Sequence, residues 1–136
     1  MIGRLLSLLV AVLLLAAPAQ AAGGGESSDK EGAPTFVRFE PIIVPLFDDT
    51  RVAGMMSVTV TLQVPKPEDK DAIEARRIRY IDAFNTALMQ LGRLKLDPRR
   101  PLDVRLLAAE VQRAADRTHG KPGLKAFVVD ASARKL

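Results

Sequence analysis

Hydrophobic and polar residues alternate from Met56 to Val64, where every second residue is apolar. Side chains of a β-strand point alternately to opposite faces, so this pattern predicts a strand with one buried and one solvated face. The preceding stretch, Phe36–Phe47, is rich in β-branched and aromatic residues but contains Pro41 and Pro45. Because proline lacks the N–H that a strand ladder needs, we expect an edge strand or a strand broken by bulges. The two strands are expected to pair as an antiparallel hairpin.

Two amphipathic helices and a last strand are predicted after the hairpin. Acidic residues around Glu68 suit the positive end of a first helix, which we expect Gly92 to end. A second helix is expected to end at Gly120, and a strand centred on Phe127 to Val129 follows. The predicted buried stripes are Ile73, Tyr80, Ile81, Phe84, Ala87, Leu88 and Leu91 in the first helix, and Val104, Leu107, Ala108, Val111, Ala114 and Ala115 in the second.

The order strand, strand, helix, helix, strand predicts an α+β domain, with its helices segregated from a mostly antiparallel sheet. We expect this domain to occupy residues 35–136, a length that supports one modest core. Pro41 and Pro45 limit one edge of the sheet. We expect the last strand to leave another edge open. An open edge favours self-association, so we expect that the protein can form a homo-oligomer.

The first 21 residues have the layout of a secretory signal peptide. Arg4 precedes an apolar run from Leu5 to Ala17, and Ala19-Gln20-Ala21 has the small-x-small pattern of a cleavage site. A helix over this run is roughly 20 Å long, which is short for a hydrocarbon core of about 30 Å. We predict cleavage between Ala21 and Ala22, a flexible linker over residues 22–34 and a periplasmic location. The alternative is an uncleaved anchor that holds the domain at the inner membrane.

Composition argues against several classes of function. The chain has no cysteine and only one histidine, His119, so the usual structural zinc site cannot be assembled. Its net charge of +4 comes from basic residues interleaved with acidic ones, and it has no tryptophan and one tyrosine. This composition is not typical of a nucleic-acid-binding surface. We therefore expect no nucleic-acid partner.

The residues that could carry chemistry have ordinary structural explanations. His119 lies at a predicted helix end, where an imidazolium cation is favourable. Asp48 and Asp49 could ligate a hard cation, but adjacent acids in a turn more often cap its backbone amides. A serine nucleophile would need a base, and none is evident. We expect neither a cofactor nor an enzymatic activity.

Two groups of basic residues are candidate contacts for a partner. Arg77 is placed so that its stem can cover core residues while the guanidinium reaches solvent or a partner. Ordinary solvated charge, paired at i,i+3 spacing with Glu74, is the favoured explanation there. Four more cations lie in a basic connector stiffened by two prolines, Arg93–Pro101, in which Asp97 is the only acid. For these residues, solvated charge and an anionic partner are evenly balanced: Arg93, Lys95, Arg99 and Arg100.

The stretch VRFEPIIVPLFDDTRVAGMMSVTVTLQV, followed by RIRYIDAFNTALMQL, resembles the periplasmic domain of the flagellar basal-body-associated protein FliL family. The resemblance covers Phe36 to Leu91 and extends further only in the order of elements. It implies a fold similar to the stomatin-type (SPFH) domain, with no enzymatic activity and no cofactor. It also implies membrane-associated assembly around flagellar stator units in support of motility and chemotaxis. FliL proteins usually keep their N-terminal apolar segment as a membrane anchor. This chain departs from that pattern, because its apolar segment is short and ends in the cleavage pattern Ala19-Gln20-Ala21.

These observations lead to two hypotheses of function. The first is a non-enzymatic periplasmic interaction protein that resembles FliL and acts at the flagellar basal body or stator. The alternative is a stand-alone exported binding module, unrelated to flagella, that holds an anionic partner through the basic connector.

Overall fold

A strand of 14 residues, β3 (Arg51–Val64), lies at the centre of the sheet in the computed structural model, which describes residues 33–136. Two shorter strands, β1 (Thr35–Arg38) and β2 (Ile42–Asp48), pair antiparallel with successive parts of one edge of β3. The last strand, β4 (Lys125–Lys135), pairs antiparallel with its other edge. Three helices connect β3 to β4. They are α1 (Asp69–Ala75), α2 (Arg77–Leu94) and α3 (Val104–His119). The described residues therefore form an α+β fold with an antiparallel sheet, as the sequence predicted.

Successive residues of β3 bond to opposite neighbours. The Phe39 N–H donates to the Val60 carbonyl at 2.9 Å on the β1 and β2 side, and the Leu136 N–H donates to the Ala53 carbonyl at 3.1 Å on the β4 side. Hydrogen-bonded and non-hydrogen-bonded pairs alternate along an antiparallel ladder. From Gly54 to Val64, the even-numbered residues of β3 therefore bond towards β1 and β2, and the odd-numbered residues bond towards β4; nearer the turn, the register with β2 shifts at Ala53.

The even-numbered side chains of β3 also form the floor of the core. Met56, Val58, Val60 and Leu62 are completely buried beneath the helices. Above them, Phe39 packs edge-to-face on Phe84, with ring centroids 5.3 Å apart. Burial of each such large apolar side chain stabilises the fold by about 1.5–3 kcal/mol. The helices contribute Ile73, Tyr80, Phe84, Leu88, Leu91, Leu107, Val111, Ala114 and Ala115 to this core.

The prolines of the hairpin act as the sequence predicted, because the first strand is broken and lies at the sheet edge. The interruption falls at residues 39–41, between β1 and β2. Pro45 stays inside β2, opposite Met55. Since Met55 bonds towards β4, the missing N–H of Pro45 would point away from the sheet, where no ladder bond is lost.

The helical region differs from the prediction in its breaks and boundaries. The first predicted helix is two helices, α1 and α2, separated at Arg76, whose φ of −106° and ψ of 15° are not helical. This break lets α1 lie against β1 with Ile73 buried, while α2 packs on β2. The α2 helix ends at Leu94, so Arg93 belongs to a helix and not to the connector. The α3 helix begins after Asp103, whose carboxylate accepts the Arg105 and Leu106 amides, and ends at Gly120 with a φ of 76°.

Two predicted core side chains and the predicted helix end at Gly92 are also corrected. Ile81 is 37% exposed and Val104 is 51% exposed, so neither belongs to the core. Tyr80 and Phe84 of the same predicted stripe are buried as expected and fill the space over Phe39. Gly92 does not end α2 but lies buried within it, because there the helix comes close to β2.

None of the helices within residues 33–136 has the length and apolar character needed to cross a bilayer. The predicted cleavage between Ala21 and Ala22, and nearly all of the predicted linker, lie outside the described residues.

We predict that Gly92→Ala destabilises the domain, although alanine favours a helix over glycine by about 1 kcal/mol. A Cβ at this position would lie 2.7 Å from the Pro45 carbonyl oxygen, so α2 and β2 would have to separate. We expect a net loss of about 1–3 kcal/mol in the free energy of unfolding, measured with urea. The matched control is Gln90→Ala on the exposed side of α2, which should change stability by about 0.5 kcal/mol or less. A more stable Gly92→Ala protein would contradict the close packing.

Candidate functional site

A groove of about 510 Å³ separates the connector from the C-terminal half of β4. We call it the connector groove. Leu102 and Val104 on one side and Ala131 and Ala133 on the other give it apolar walls. The residues that line it are Pro98, Arg99, Arg100, Pro101, Leu102, Val104, Ala131, Ser132, Ala133 and Lys135.

Asp97 and Asp48 both bond to the connector wall. The Arg99 amide donates to the Asp97 carboxylate at 2.9 Å, and the Arg100 amide donates to the Asp97 carbonyl at 3.0 Å. The Arg99 guanidinium also donates to the Asp48 carboxylate at 2.6 Å, which ties the connector to the end of β2. With prolines on both sides of the two arginines, the backbone bonds to Asp97 fix the local turn, whereas the exposed Arg99–Asp48 pair contributes little to its shape.

Cations surround the opening of the groove. The side chains of Arg99 and Arg100 are 74% and 82% exposed, although each contacts an aspartate. Lys135 is exposed on the opposite wall. Ion pairs between exposed side chains contribute only about 0–1 kcal/mol, so these arginines can exchange their aspartates for another anion at little cost. An apolar interior with a cationic rim suits a ligand that is acidic and partly apolar.

Two of the five cations predicted to contact a partner line the groove, namely Arg99 and Arg100. Arg77 lies elsewhere, with its guanidinium 4.7 Å from the centre of the Phe39 ring and bonded to Glu74 and to the Arg38 carbonyl. Its stem and head cover the aromatic core.

The other two cations have partners outside the groove lining. The Arg93 guanidinium lies 5.9 Å from the centre of the Phe47 ring, and Lys95 pairs with Glu110 at 3.4 Å. Glu110 is shared, since Arg113 donates to the same carboxylate oxygen at 2.6 Å.

Sequence reasoning missed Lys135 as a member of the rim. The last strand was expected to be centred on Phe127 to Val129, whereas β4 continues to Lys135, opposite Gly54. Extending the last strand along the full length of β3 would have placed Lys135 near the turn between β2 and β3. The Asp48–Arg99 contact could not be found in this way, because it joins residues 51 positions apart.

His119 is not the cation that the sequence suggested. Its Nδ1 atom is 3.1 Å from the Tyr80 hydroxyl, and its Nε2 atom is buried without a hydrogen-bond partner among the described residues. Burial lowers the pKa of His119, and the positive charges of Lys121 and Arg76 lower it further, whereas Asp69 and Asp116 oppose the shift. Burial likewise raises the pKa of Tyr80, against the effect of Arg76. The contact therefore joins an uncharged imidazole to an uncharged phenol at neutral pH.

A second cavity, of about 600 Å³, lies at the turn between α3 and β4. The amide of Gln112 on its wall donates to the Leu124 carbonyl at 2.9 Å and accepts from the Ala126 N–H at 2.8 Å. These bonds fix the start of β4, so Gln112 has a structural role there. Within residues 33–136 there is no group of three or more His, Cys, Asp or Glu residues able to hold a metal ion.

No protein-family model matches the chain, and no curated protein or solved structure is significantly similar to it. The α+β class of residues 33–136, with an antiparallel sheet of four strands and three helices, therefore rests on the structure itself. The likeness to FliL and to the stomatin-type fold rests on the residue pattern alone.

We predict that stability falls as the pH decreases from about 7 to about 5, because His119 is the chain's single histidine and its pKa is lower folded than unfolded. Over this range the unfolded imidazole, with a pKa of about 6.5, takes up a proton before the folded one does. Urea unfolding at a series of pH values should show this loss, and His119→Asn should reduce it. Tyr80→Phe is the control that keeps the half-buried imidazole and hence the pH dependence. Equal pH profiles for His119→Asn and the unaltered protein would contradict this assignment.

Proposed function

We propose that this chain is a non-enzymatic interaction domain that binds an anionic protein partner in the connector groove. The observation that supports the proposal is the arrangement of Arg99, Arg100 and Lys135 around an apolar, open groove. Arginine can donate two parallel hydrogen bonds to one carboxylate, so the rim favours carboxylates of a partner. The apolar walls add affinity for small aliphatic side chains.

The ion pairs at the groove explain how such a partner would be held. On binding, carboxylates of the partner replace Asp48 and Asp97 as the anions nearest to Arg99 and Arg100. The exchange leaves the number of ion pairs unchanged, so the net gain comes from water released by the apolar walls and from charge complementarity. Salt should therefore weaken binding without abolishing it.

We propose further that the protein is exported to the periplasm and acts at the flagellar basal body or stator, as FliL proteins do. The residues that resemble FliL, Phe36 to Leu91, run through β1, β2, β3, α1 and most of α2 in the expected order. The export layout from Arg4 to Ala21 supports the location. If residues 1–21 are retained, the domain is held at the inner membrane, and the intact mass in soluble and membrane fractions distinguishes the two cases.

The flagellar placement predicts that deleting the gene in a flagellated host lowers motor speed and stator occupancy under high load. The reason is that a partner of the stator matters most when many stator units must engage. Bead assays on single motors, with fluorescent stator subunits, measure both quantities. The control is the deletion strain complemented with the unaltered gene. Normal speed and occupancy under high load would exclude the flagellar role.

A stand-alone exported binding module remains the second candidate, because the cationic groove does not depend on a flagellar partner. We predict that reversing Arg99 and Arg100 to Glu removes the acidic partner recovered by crosslinking in the host. The matched control reverses Lys66 and Arg79, which are exposed and do not line the groove, and so changes the net charge equally. Both proteins should unfold at similar temperatures, because the pairs that are lost are exposed. The same partners on both variants would contradict binding at the groove.

The motility measurement and the Arg99 and Arg100 reversal together distinguish the flagellar role from the stand-alone module. Loss of the partner from the Arg99 and Arg100 variant together with impaired motility supports the flagellar role. Loss of the partner with normal motility supports the stand-alone module.

A further inference from the structure

We propose that the partner binds the connector groove by β-strand addition, with an extended acidic segment pairing along the free edge of β4. This inference deepens the proposed function and rests on it. Strand addition uses backbone hydrogen bonds for affinity and alternate side chains for specificity. Both components can be assigned from the residues of β4.

The backbone of β4 offers unpaired groups to the groove. The Leu136 N–H donates to the Ala53 carbonyl, so residue 136 bonds inwards to β3. By the alternation of an antiparallel ladder, Arg134 and Ser132 also bond inwards. The N–H and C=O groups of Ala131, Ala133 and Lys135 therefore point outwards, and among residues 33–136 no strand pairs with that edge. These same three residues line the groove.

The side chains of the same residues fit this mode of binding. Ala131 and Ala133 lie opposite Val58 and Met56 and so point to the helix side of the sheet, where they are too small to fill the groove. Every second side chain of an added strand would also point to that side, towards Arg99 and Arg100. The preferred segment therefore carries acidic residues at alternate positions.

The two edges of the sheet differ in whether they can accept another strand. The β1 and β2 edge is interrupted at residues 39–41 and carries Pro45. The β4 edge has no proline, and its regular stretch extends from Asp130 to Lys135, beyond the irregularity at Val129. Natural edge strands are commonly blocked by prolines, bulges or charged side chains. This stretch lacks the first two, and its cations, Arg134 and Lys135, oppose a basic strand but not an acidic one.

Charge favours an acidic partner over a second copy of this chain. The C-terminal half of β4 carries Arg134 and Lys135. Pairing with the same strand of another copy would bring these cations to a rim that already holds Arg99 and Arg100. An acidic segment would instead neutralise that rim.

The first test uses a synthetic peptide of about eight residues that alternates Glu and Val. Amide hydrogen exchange is measured by NMR on the full chain with and without this peptide. We expect exchange at Ala131, Ala133 and Lys135 to slow by about tenfold or more at saturation, because their amides become hydrogen-bonded. Ser132 and Arg134, already bonded to β3, are the internal controls and should change little. No binding of the peptide, or protection without this alternation, would overturn the inference.

The second test alters the peptide, so it does not depend on how a protein variant folds. Two versions of the peptide are made. One is N-methylated on the amides of its odd-numbered residues, and the other on the amides of its even-numbered residues. Strand addition predicts that one peptide loses affinity by about tenfold or more, because its methyl groups replace the donors that face β4, while the other still binds. Equal affinities for the two peptides would overturn the inference.

Protein variants then distinguish failure of this inference from failure of the proposed function. Ala133→Pro removes an outward N–H and no ladder bond, so it should weaken peptide binding by about tenfold while leaving the unfolding temperature nearly unchanged. If the host partner is lost from the Arg99 and Arg100 reversal but stays bound to Ala133→Pro, the groove binds anions through side chains and only strand addition fails. If the partner stays bound to both variants, both proposals fail.

Two other occupants would also overturn strand addition by an acidic segment. Concentration-dependent protection of Ala131 and Ala133 without any peptide would identify a second copy at the edge. Displacement of the peptide by phosphatidylglycerol vesicles, but not by neutral vesicles, would identify a lipid surface.

Discussion

The alternation of β3 is the constraint on which the rest of the domain depends. From Gly54 to Val64, its even-numbered residues bond to β1 and β2 and face the helices, whereas its odd-numbered residues bond to β4 and face the other side of the sheet. A shift of one residue in its register would turn Val58 and Val60 away from the helices and place Thr59 and Thr61 on the helix side. The same alternation determines which amides of β4 point outwards. The composition of the core and the candidate binding edge therefore both depend on the register of β3.

Close packing of α2 on the sheet positions the connector. Gly92 brings the end of the helix against Pro45, so the chain leaves α2 beside β2. Asp48 at the end of β2 is then within reach of Arg99. The bond between them is weak because both groups are exposed, but it joins two elements that are already held in place by packing. The groove is therefore shaped by the core, and its ion pairs adjust only its rim.

Local patterns in the sequence predicted most of the fold and little of the site. The alternation around Val58, the prolines of the first strand and the glycine at position 120 each predicted what the structure contains, because each depends on nearby residues. Gly92 was wrongly placed at a helix end, since glycine there serves a contact with a distant strand. His119 was wrongly assigned a charge because its burial against Tyr80 depends on how α2 and α3 pack. Lys135 lies at the same groove as Arg99 only because of the register of β4 on β3, which a pattern along the sequence does not specify.

The cations of this chain therefore differ in what they can do, although the sequence presents them as similar. Arg77 is held by Glu74, a backbone carbonyl and an aromatic ring, so its removal would disturb the core before it affected any partner. Arg99 and Arg100 each contact one exposed carboxylate beside an apolar groove, so they can change partners without disturbing the core. The number of contacts that a cation already makes therefore distinguishes one that stabilises the fold from one that is free to contact a ligand. By this criterion the connector, and not the start of α2, is the surface from which binding is to be expected.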